Sequence, residues 1–360
     1  MGKWKRSLES MVLKKFWSGK RVLLTGHTGF KGSWLSLWLH TMGAEVFGYS
    51  MEPEDTPSLF EQLGLADKIH HKIGDICDAD ALAEFVKETK ADFVFHLAAQ
   101  SLVLRSYKDT LSTWNTNVMG TAHLLEALRK SAHSCAVVVV TTDKVYQNNE
   151  CEHAYCETDR LGGLDPYSAS KAGTELVVYS YRSLIEEERL PIALASARAG
   201  NVIGGGDWCE NRLLPDIVRA LMQDTSIEAR NPNSVRPWQH VLEPLSGYMM
   251  LAEKLNADSA YATSYNFGPR VCDNRTVEDV IKTALKTWPG QYHSNNNSGT
   301  PHEAGLLMLD INKACIDLNW HPKWDFDIAI GKTMHWYKDV YEGTEPLDMT
   351  LKQIAEFEVA

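Results

Sequence analysis

From Lys20 onward, short apolar runs alternate with longer stretches in which apolar residues recur every three or four positions. Such alternation predicts stacked βαβ units, because two parallel strands need a crossover long enough to hold a helix. Strands are predicted at Arg21 to Thr25, Glu45 to Tyr49, Lys72 to Ile73, Phe93 to Leu97, Val137 to Thr142 and Ala193 to Ala199, and a helix over Phe30 to Met42. The run Ala136-Val-Val-Val-Val-Thr-Thr142 lacks polar alternation altogether, as a strand buried on both faces requires. The expected fold is therefore α/β, with a doubly wound parallel sheet. After about Gly200 the texture changes to Gly204-Gly-Gly206, scattered Pro and Trp, and an Asn-rich loop from Ser294 to Ser298. This predicts a first domain over residues 16–200 and a smaller C-terminal region, mainly 201–345, with a soft boundary across which elements interleave.

Composition narrows the function. A net charge of −11 over 360 residues argues against nucleic acid as a partner, since neutralising phosphates takes a surplus of Lys and Arg. Residues 1–15 carry scattered basic residues but no signal-peptide core, and no run approaches membrane-spanning length, so a cytoplasmic protein with no membrane partner is expected. Seven cysteines at irregular spacing fit reduced thiols. Cys151 and Cys156 have no second pair at finger-like spacing, so no metal is expected.

The first strand leads into Gly26-His-Thr28-Gly29-Phe30-Lys31-Gly32, and a helical pattern follows at once. Glycines there let the backbone turn tightly and approach a pyrophosphate, which the N–H groups of the helix start favour. The Gly-x-x-Gly-x-x-Gly spacing resembles the extended branch of the short-chain dehydrogenase/reductase superfamily, which implies a Rossmann-type, dinucleotide-binding first domain. An acid expected about 20 residues on for the ribose hydroxyls is missing, its place held by Tyr49, Ser50 and Met51. No Arg welcomes a 2′-phosphate, and Glu52, Glu54 and Asp55 would repel one, so NAD is expected over NADP. Asp75 and Ile76 resemble the family's adenine-contacting pair, and equally read as a helix cap followed by a core residue.

Tyr167-Ser-Ala-Ser-Lys171 begins a helix announced by Asp165 as cap and Pro166 as first residue. Tyr and Lys four apart share a helical face, and a nearby ammonium together with the cationic nicotinamide favours phenolate, so Tyr167 is the candidate base. Thr142 ends the buried strand, where open α/β sheets bind ligands. Joined to His96-Leu97-Ala98-Ala99 and Asn117-Val-Met-Gly120, these residues resemble the superfamily's Ser/Thr, Tyr and Lys set, with Leu97, Ala98, Ala99 and Asn117 lining the cofactor.

After Thr142 come Asp143 and Lys144. In sugar-nucleotide 4,6-dehydratases an acid and a base follow the matching threonine, whereas epimerases tend to carry non-ionisable residues there. The resemblance implies Asp143 as proton donor to a departing C6 hydroxyl and Lys144 as the base at C5. Lys144 also reads as a substrate contact or as the residue orienting Asp143. On the substrate side the resemblance implies Gln100, Asn201, Arg212, Leu213, Arg236, His240, Asn274, His302 and Glu303, with the arginines gripping phosphate through paired hydrogen bonds. Across most of the chain the motifs are similar to the CDP-glucose branch of that family, implying CDP-glucose or a related nucleotide sugar as substrate and deoxysugar supply for surface polysaccharide such as lipopolysaccharide O-antigen.

The same resemblance implies a homodimer, or a tetramer, joined through Asn117 to Lys130 and Tyr167 to Ile185, the second carrying Leu176, Val177, Val178 and Tyr179. A dehydratase or epimerase for another nucleotide sugar, and a non-catalytic NAD-binding regulatory protein, remain the alternatives, because a fold alone does not specify a function.

Overall fold

The computed structural model describes residues 14–54, 56–229, 231–294 and 306–360. Its centre is a parallel sheet of seven strands: β1 (Arg21–Thr25), β2 (Glu45–Ser50), β3 (His70–Ile73), β4 (Phe93–His96), β5 (Cys135–Val140), β6 (Ile192–Ala199) and β7 (Ser264–Phe267). The spatial order is β7-β6-β5-β4-β1-β2-β3. The chain winds outward from β1 in both directions, so the order reverses between β1 and β4 and opens a crevice at their carboxyl ends.

Strand β5 shows how the sequence covers both faces. Ala136, Val138 and Val140 pack with Trp34 and Leu35 of α1 (Phe30–Thr41). Cys135, Val137 and Val139 pack on the other side with Leu124 and Leu128 of α3 (Gly120–Ser131), beside Leu82 of α2 (Ala79–Thr89) and Val178 of α4 (Pro166–Glu187). Each valine buried this way contributes about 1.5–3 kcal/mol relative to exposure. The six predicted strands are all present. β5 ends before the predicted Thr142, because the Thr142 side chain turns to cap the Asp143–Val145 turn.

The seventh strand was not predicted. β7 comes from beyond residue 201 and pairs with β6 from Ser264↔Ser196 to Phe267↔Ala199, so the C-terminal region contributes to the central sheet. Among the described residues no helix is long and apolar enough to cross a membrane.

Helix α5 (Leu242–Ala257) carries a buried acid. Glu243 is 1% exposed and accepts hydrogen bonds from the backbone of Lys323 (3.0 Å) and Trp324 (2.7 Å), just before α6 (Phe326–Tyr341). Burial pushes its carboxyl up to about 7, against the opposing pull of those amides. The folded state thus holds a proton that the unfolded chain releases from about pH 4.5, the ordinary glutamate value. Stability falls as pH rises through that interval, and the loss is complete above about 7. Glu243→Gln should flatten this part of the pH–stability curve by on the order of 3 kcal/mol, read from urea melts across the interval.

Candidate active site

The turn between β1 and α1 is shaped by what a side chain would strike. Gly26 has φ +78°, and a Cβ there would lie 2.7 Å from the Ala98 nitrogen. At Gly32 a Cβ would lie 2.0 Å from the Gly26 carbonyl oxygen. Gly26 therefore lets the loop close against Leu97-Ala98, and Gly32 lets the helix start close against the loop itself. At the start of α1, Gly29 offers no side-chain cap and the first turn holds no acid, whereas Asp78, Asp165 and Thr276 cap other helices with their side chains. This glycine cradle at an uncapped helix start suits a pyrophosphate, and it sits at the sheet's crevice. Behind it, the Thr28 hydroxyl bonds Ser50 Oγ (2.8 Å) and the Met51 carbonyl (2.9 Å), fastening the loop to the end of β2.

The catalytic candidates converge at the end of β5. The predicted cap is present: the Asp165 carboxylate accepts from Ser168 N (2.9 Å), with Pro166 opening α4. Tyr167 and Lys171 are both nearly buried, and Lys171 Nζ donates to the Val140 carbonyl (3.2 Å). Burial lowers the Lys171 ammonium to about 8, with Glu175 opposing. The Tyr167 phenol goes the other way, up to about 12 through burial, with a hydrogen bond to Thr142 pulling down and the Asp143 charge pushing up. The chain's own groups therefore hold the phenol neutral, and the cationic nicotinamide is the second charge expected to favour phenolate.

Asp143 is 2% exposed, and its Oδ1 accepts from the Thr142 hydroxyl (2.9 Å). Its Oδ2 has no hydrogen-bond partner among the described residues and lies against Gly200, where a Cβ would stand 3.1 Å away. Burial raises this carboxyl, opposed by Lys144, Thr142, Arg236 and Lys31. Lys31, half-buried on the glycine turn, is lowered to about 7 by burial and by the charges of Arg212 and Lys171, with Asp143 and Asp207 opposing. Arg212 bonds Asp207 (3.1 Å) and Ser101 Oγ (3.1 Å) just ahead of Leu213, the first residue of its helix. One crevice thus gathers Lys31, Thr142, Asp143, Lys144, Tyr167, Lys171, Arg212 and Arg236.

Other predicted site residues have different surroundings. His240 is fully buried between Trp34 and Trp324, with ring centroids 5.8 and 4.8 Å away, so it belongs to the core and not to a substrate surface. Ile76 buries its side chain, which fills the space a Cβ at Gly120 would need, so the core reading describes that side chain; Asp75 is exposed and bonds Cys77 N. Asn117 lies in a π-helical turn and is almost wholly buried. Its amide accepts from Gln100 N (2.9 Å) and donates to Gln100 O (3.0 Å) and Ser170 Oγ (2.8 Å), tying the loop after β4 to α4. The Gln100 side chain is itself engaged by Thr113 and Leu102. Asn201 and Asn274 are half-buried, and the Ala99 backbone lies in the open loop after β4. His302 and Glu303 lie outside the described residues.

Three residues escaped the sequence reading. Glu175, Arg198 and Tyr146 form a buried network behind the catalytic strand end, with Glu175 Oε2 to Arg198 Nη2 at 2.8 Å and Arg198 Nη1 to the Tyr146 hydroxyl at 2.8 Å. The signal was the spacing: Glu175 follows Lys171 by one helical turn, on the same inward face.

With this geometry in place, comparison with known proteins is decisive. Residues 23–333 match the family described as GDP-mannose 4,6-dehydratase. The chain belongs to that family. Within reach of it stands the CDP-glucose 4,6-dehydratase of Salmonella typhimurium strain LT2, 45% identical, matching 96% of this chain and 98% of that protein. The dTDP-glucose 4,6-dehydratase DesIV of Streptomyces venezuelae, solved with NAD bound, is 25% identical with a TM-score of 0.74, covering 91% of this chain and 99% of its own. The UDP-glucose 4-epimerase of Thermotoga maritima shares the fold equally, with a TM-score of 0.74 at 18% identity over 89% of this chain and 99% of its own. Proteins named for different chemistries thus share one architecture, and the side chains at the crevice must distinguish them.

Proposed function

We propose that this protein is a hydro-lyase that converts CDP-glucose to CDP-4-keto-6-deoxyglucose with NAD as a regenerated cofactor. The observation that carries the reading is the ionisable pair Asp143-Lys144 set directly beside Thr142 and Tyr167. An epimerase needs only oxidation and reduction at one carbon, whereas loss of water also needs a base and an acid at neighbouring carbons. The 45% identity to a CDP-glucose enzyme over nearly the whole chain supports the choice of nucleotide.

Gly26, Gly29 and Gly32 would hold the pyrophosphate of NAD, with Thr28, Phe30, Lys31, Asp75, Ile76 and Leu97 to Ala99 around it. The cofactor supplies a reversible hydride acceptor, and a positive charge while oxidised, so no outside oxidant or reductant is consumed. Tyr167 takes the proton of the C4 hydroxyl as that carbon is oxidised, and Thr142 hydrogen-bonds the same oxygen. The resulting ketone acidifies the C5 hydrogen, which Lys144 removes. Asp143, whose carboxyl pKa is raised by burial, gives its proton to the C6 hydroxyl so that it leaves as water. The C5–C6 double bond left behind is saturated at C6 by the hydride first taken from C4, and at C5 by a proton returned from Lys144. Arg212 and Arg236 grip the diphosphate.

A homodimer completes the proposal. Leu176 (62% exposed) and Tyr179 (71%) project from α4, and Leu111 and Trp114 are also exposed on the neighbouring helix Thr110–Trp114, a set of apolar groups that a second copy would cover. A cytoplasmic role in deoxysugar supply for surface polysaccharide, including O-antigen, fits the soluble substrate and the regenerated cofactor.

The test is NMR of CDP-glucose with the purified protein and catalytic NAD in deuterated water. A methyl should replace the C6 hydroxymethyl, with solvent deuterium at C5 and no net reduction of the cofactor. A C4 epimer with no methyl signal would identify an epimerase, and unchanged CDP-glucose together with turnover of another nucleotide sugar would reassign the substrate.

A further inference from the structure

Within the turn that carries Asp143 and Lys144 the Thr142 hydroxyl donates to Asp143 Oδ1 (2.9 Å), while the backbone bonds that close it, Lys144 N to Thr142 Oγ1 and Val145 N to Thr142 O, are both 3.4 Å long. Its flanks are tied to a buried polar network. On the leading side, the Thr141 hydroxyl donates to Glu175 Oε1. On the trailing side, the Tyr146 hydroxyl accepts from Arg198 (2.8 Å) and donates to Asn266 Oδ1 (2.7 Å) on β7. Glu175 and Arg198 are themselves paired at 2.8 Å, with side chains only 2% and 4% exposed.

We propose that the Glu175–Arg198 pair is a positioning unit that grips Thr141 and Tyr146, the two ends of the acid–base turn, and so sets the placement of Asp143 and Lys144 for elimination. The proposal rests on the dehydratase reading and adds to it a reason for a buried ion pair that no reacting atom touches. Both carboxylate oxygens of Glu175 are engaged inside this buried network, Oε1 by Thr141 and Oε2 by Arg198 and Ser196 Oγ (2.8 Å). Burial alone would raise the Glu175 carboxyl, but Arg198, Thr141 and Ser196 bring it below its ordinary value, so it stays ionised. Ion pairs this deep are seldom worth their desolvation as stability alone, and a well-packed apolar replacement often does as well. Geometry is the better return here. Elimination asks two groups on one short turn to meet neighbouring carbons at once, and small misplacements are costly.

The pair joins four elements. Glu175 belongs to α4, one turn after Lys171; Arg198 and Ser196 belong to β6, Thr141 directly follows β5, and Asn266 lies on β7. Asn266 also donates to the carbonyls of Tyr155 (2.9 Å) and Asp310 (3.0 Å), so the trailing anchor is fixed to the C-terminal region. The strand that enters the sheet from beyond residue 201 thereby secures the far end of the acid–base turn.

Two gentle variants test this, each removing one hydroxyl and no charge: Tyr146→Phe and Thr141→Val, with Thr141→Ser as the conservative control. Amide hydrogen exchange on the whole protein reads the turn directly, without substrate. Residues 142–146 should exchange about tenfold faster in both variants, while the amides of α4 and β5 keep their protection and Thr141→Ser behaves as the parent. With C4-deuterated CDP-glucose, oxidation at C4 should proceed at the parental rate and KM should hold. Solvent exchange at C5 and methyl formation should fall about 10- to 100-fold. Glu175→Gln should give the same partition wherever it folds, and the two hydroxyl variants decide the matter if it does not. Unchanged exchange at residues 142–146, or an equal loss at both chemical steps, would overturn the positioning role. A parent that leaves CDP-glucose untouched sinks the dehydratase reading, and the hydrogen-exchange result still decides whether the pair grips the turn.

Discussion

Replacing Tyr167 with Phe is expected to lower CDP-glucose turnover by about 10²- to 10⁴-fold, with retention of NAD and of the fold. The substitution deletes one oxygen from a side chain that is 8% exposed and leaves the backbone bond from Tyr167 N to Ser106 Oγ (3.1 Å) in place. What is lost is the acceptor for the C4 hydroxyl proton, so the defect should fall on the first oxidation, seen as retention of deuterium at C4. The pH dependence has a defined sign. In the proposed reaction Tyr167 acts as phenolate, and with its phenol near 12 only roughly one part in 10⁵ is ionised at pH 7 in the chain's own surroundings. The rate of C4 oxidation should therefore climb with pH from the acid side. The climb should flatten as Lys171 loses its charge near 8, because the ammonium that favours phenolate is then withdrawn. A rate that falls steadily from pH 6 to 8, or a Phe variant that still oxidises C4 at the parental rate, would remove Tyr167 from the base role.

Much of this arrangement was legible in the sequence, for identifiable reasons. β1, β2, β4, β5 and β6 are read from apolar residues that face helices on both sides, and the start of α4 from Asp165 and Pro166, whose capping depends only on local geometry. β7 was missed because Ser264-Tyr-Asn-Phe267 is short and half polar. The polar half faces inward as well: Asn266 is fully buried and meets Tyr146, while Ser264 Oγ meets Ser196 (2.8 Å). A polar residue whose partners lie in distant segments looks solvent-facing in sequence. Glu175, on α4, was overlooked on the same ground, since the arginine that neutralises it sits on β6. His240 erred in the opposite direction. Its place in Arg236-Pro-Trp-Gln-His240 suggested a substrate contact, and only the packing of α1 and the Trp324 segment encloses it.

The second large effect separates the two residues of the acid–base turn. Lys144→Ala should permit C4 oxidation and stop solvent exchange at C5, because the ketone forms but its neighbouring hydrogen finds no base. Asp143→Asn should leave that exchange running and block departure of the C6 hydroxyl, since an amide has no acidic proton to give. Each loss of methyl formation should reach about 10²- to 10⁴-fold, so the two variants are told apart by C5 deuterium and not by overall rate. The buried carboxyl also gives the Asn variant a structural rationale. Asp143 Oδ2 faces Gly200 without a partner, and burial is the largest influence raising its pKa, so a neutral amide of the same shape should be accommodated without loss of fold. If Lys144→Ala dehydrates CDP-glucose at the parental rate, the base lies elsewhere in the crevice and Lys144 serves only to orient Asp143. If both variants halt before C5 exchange, the turn acts as a unit in forming the ketone's neighbouring carbanion, and proton removal and hydroxyl departure are coupled in one step.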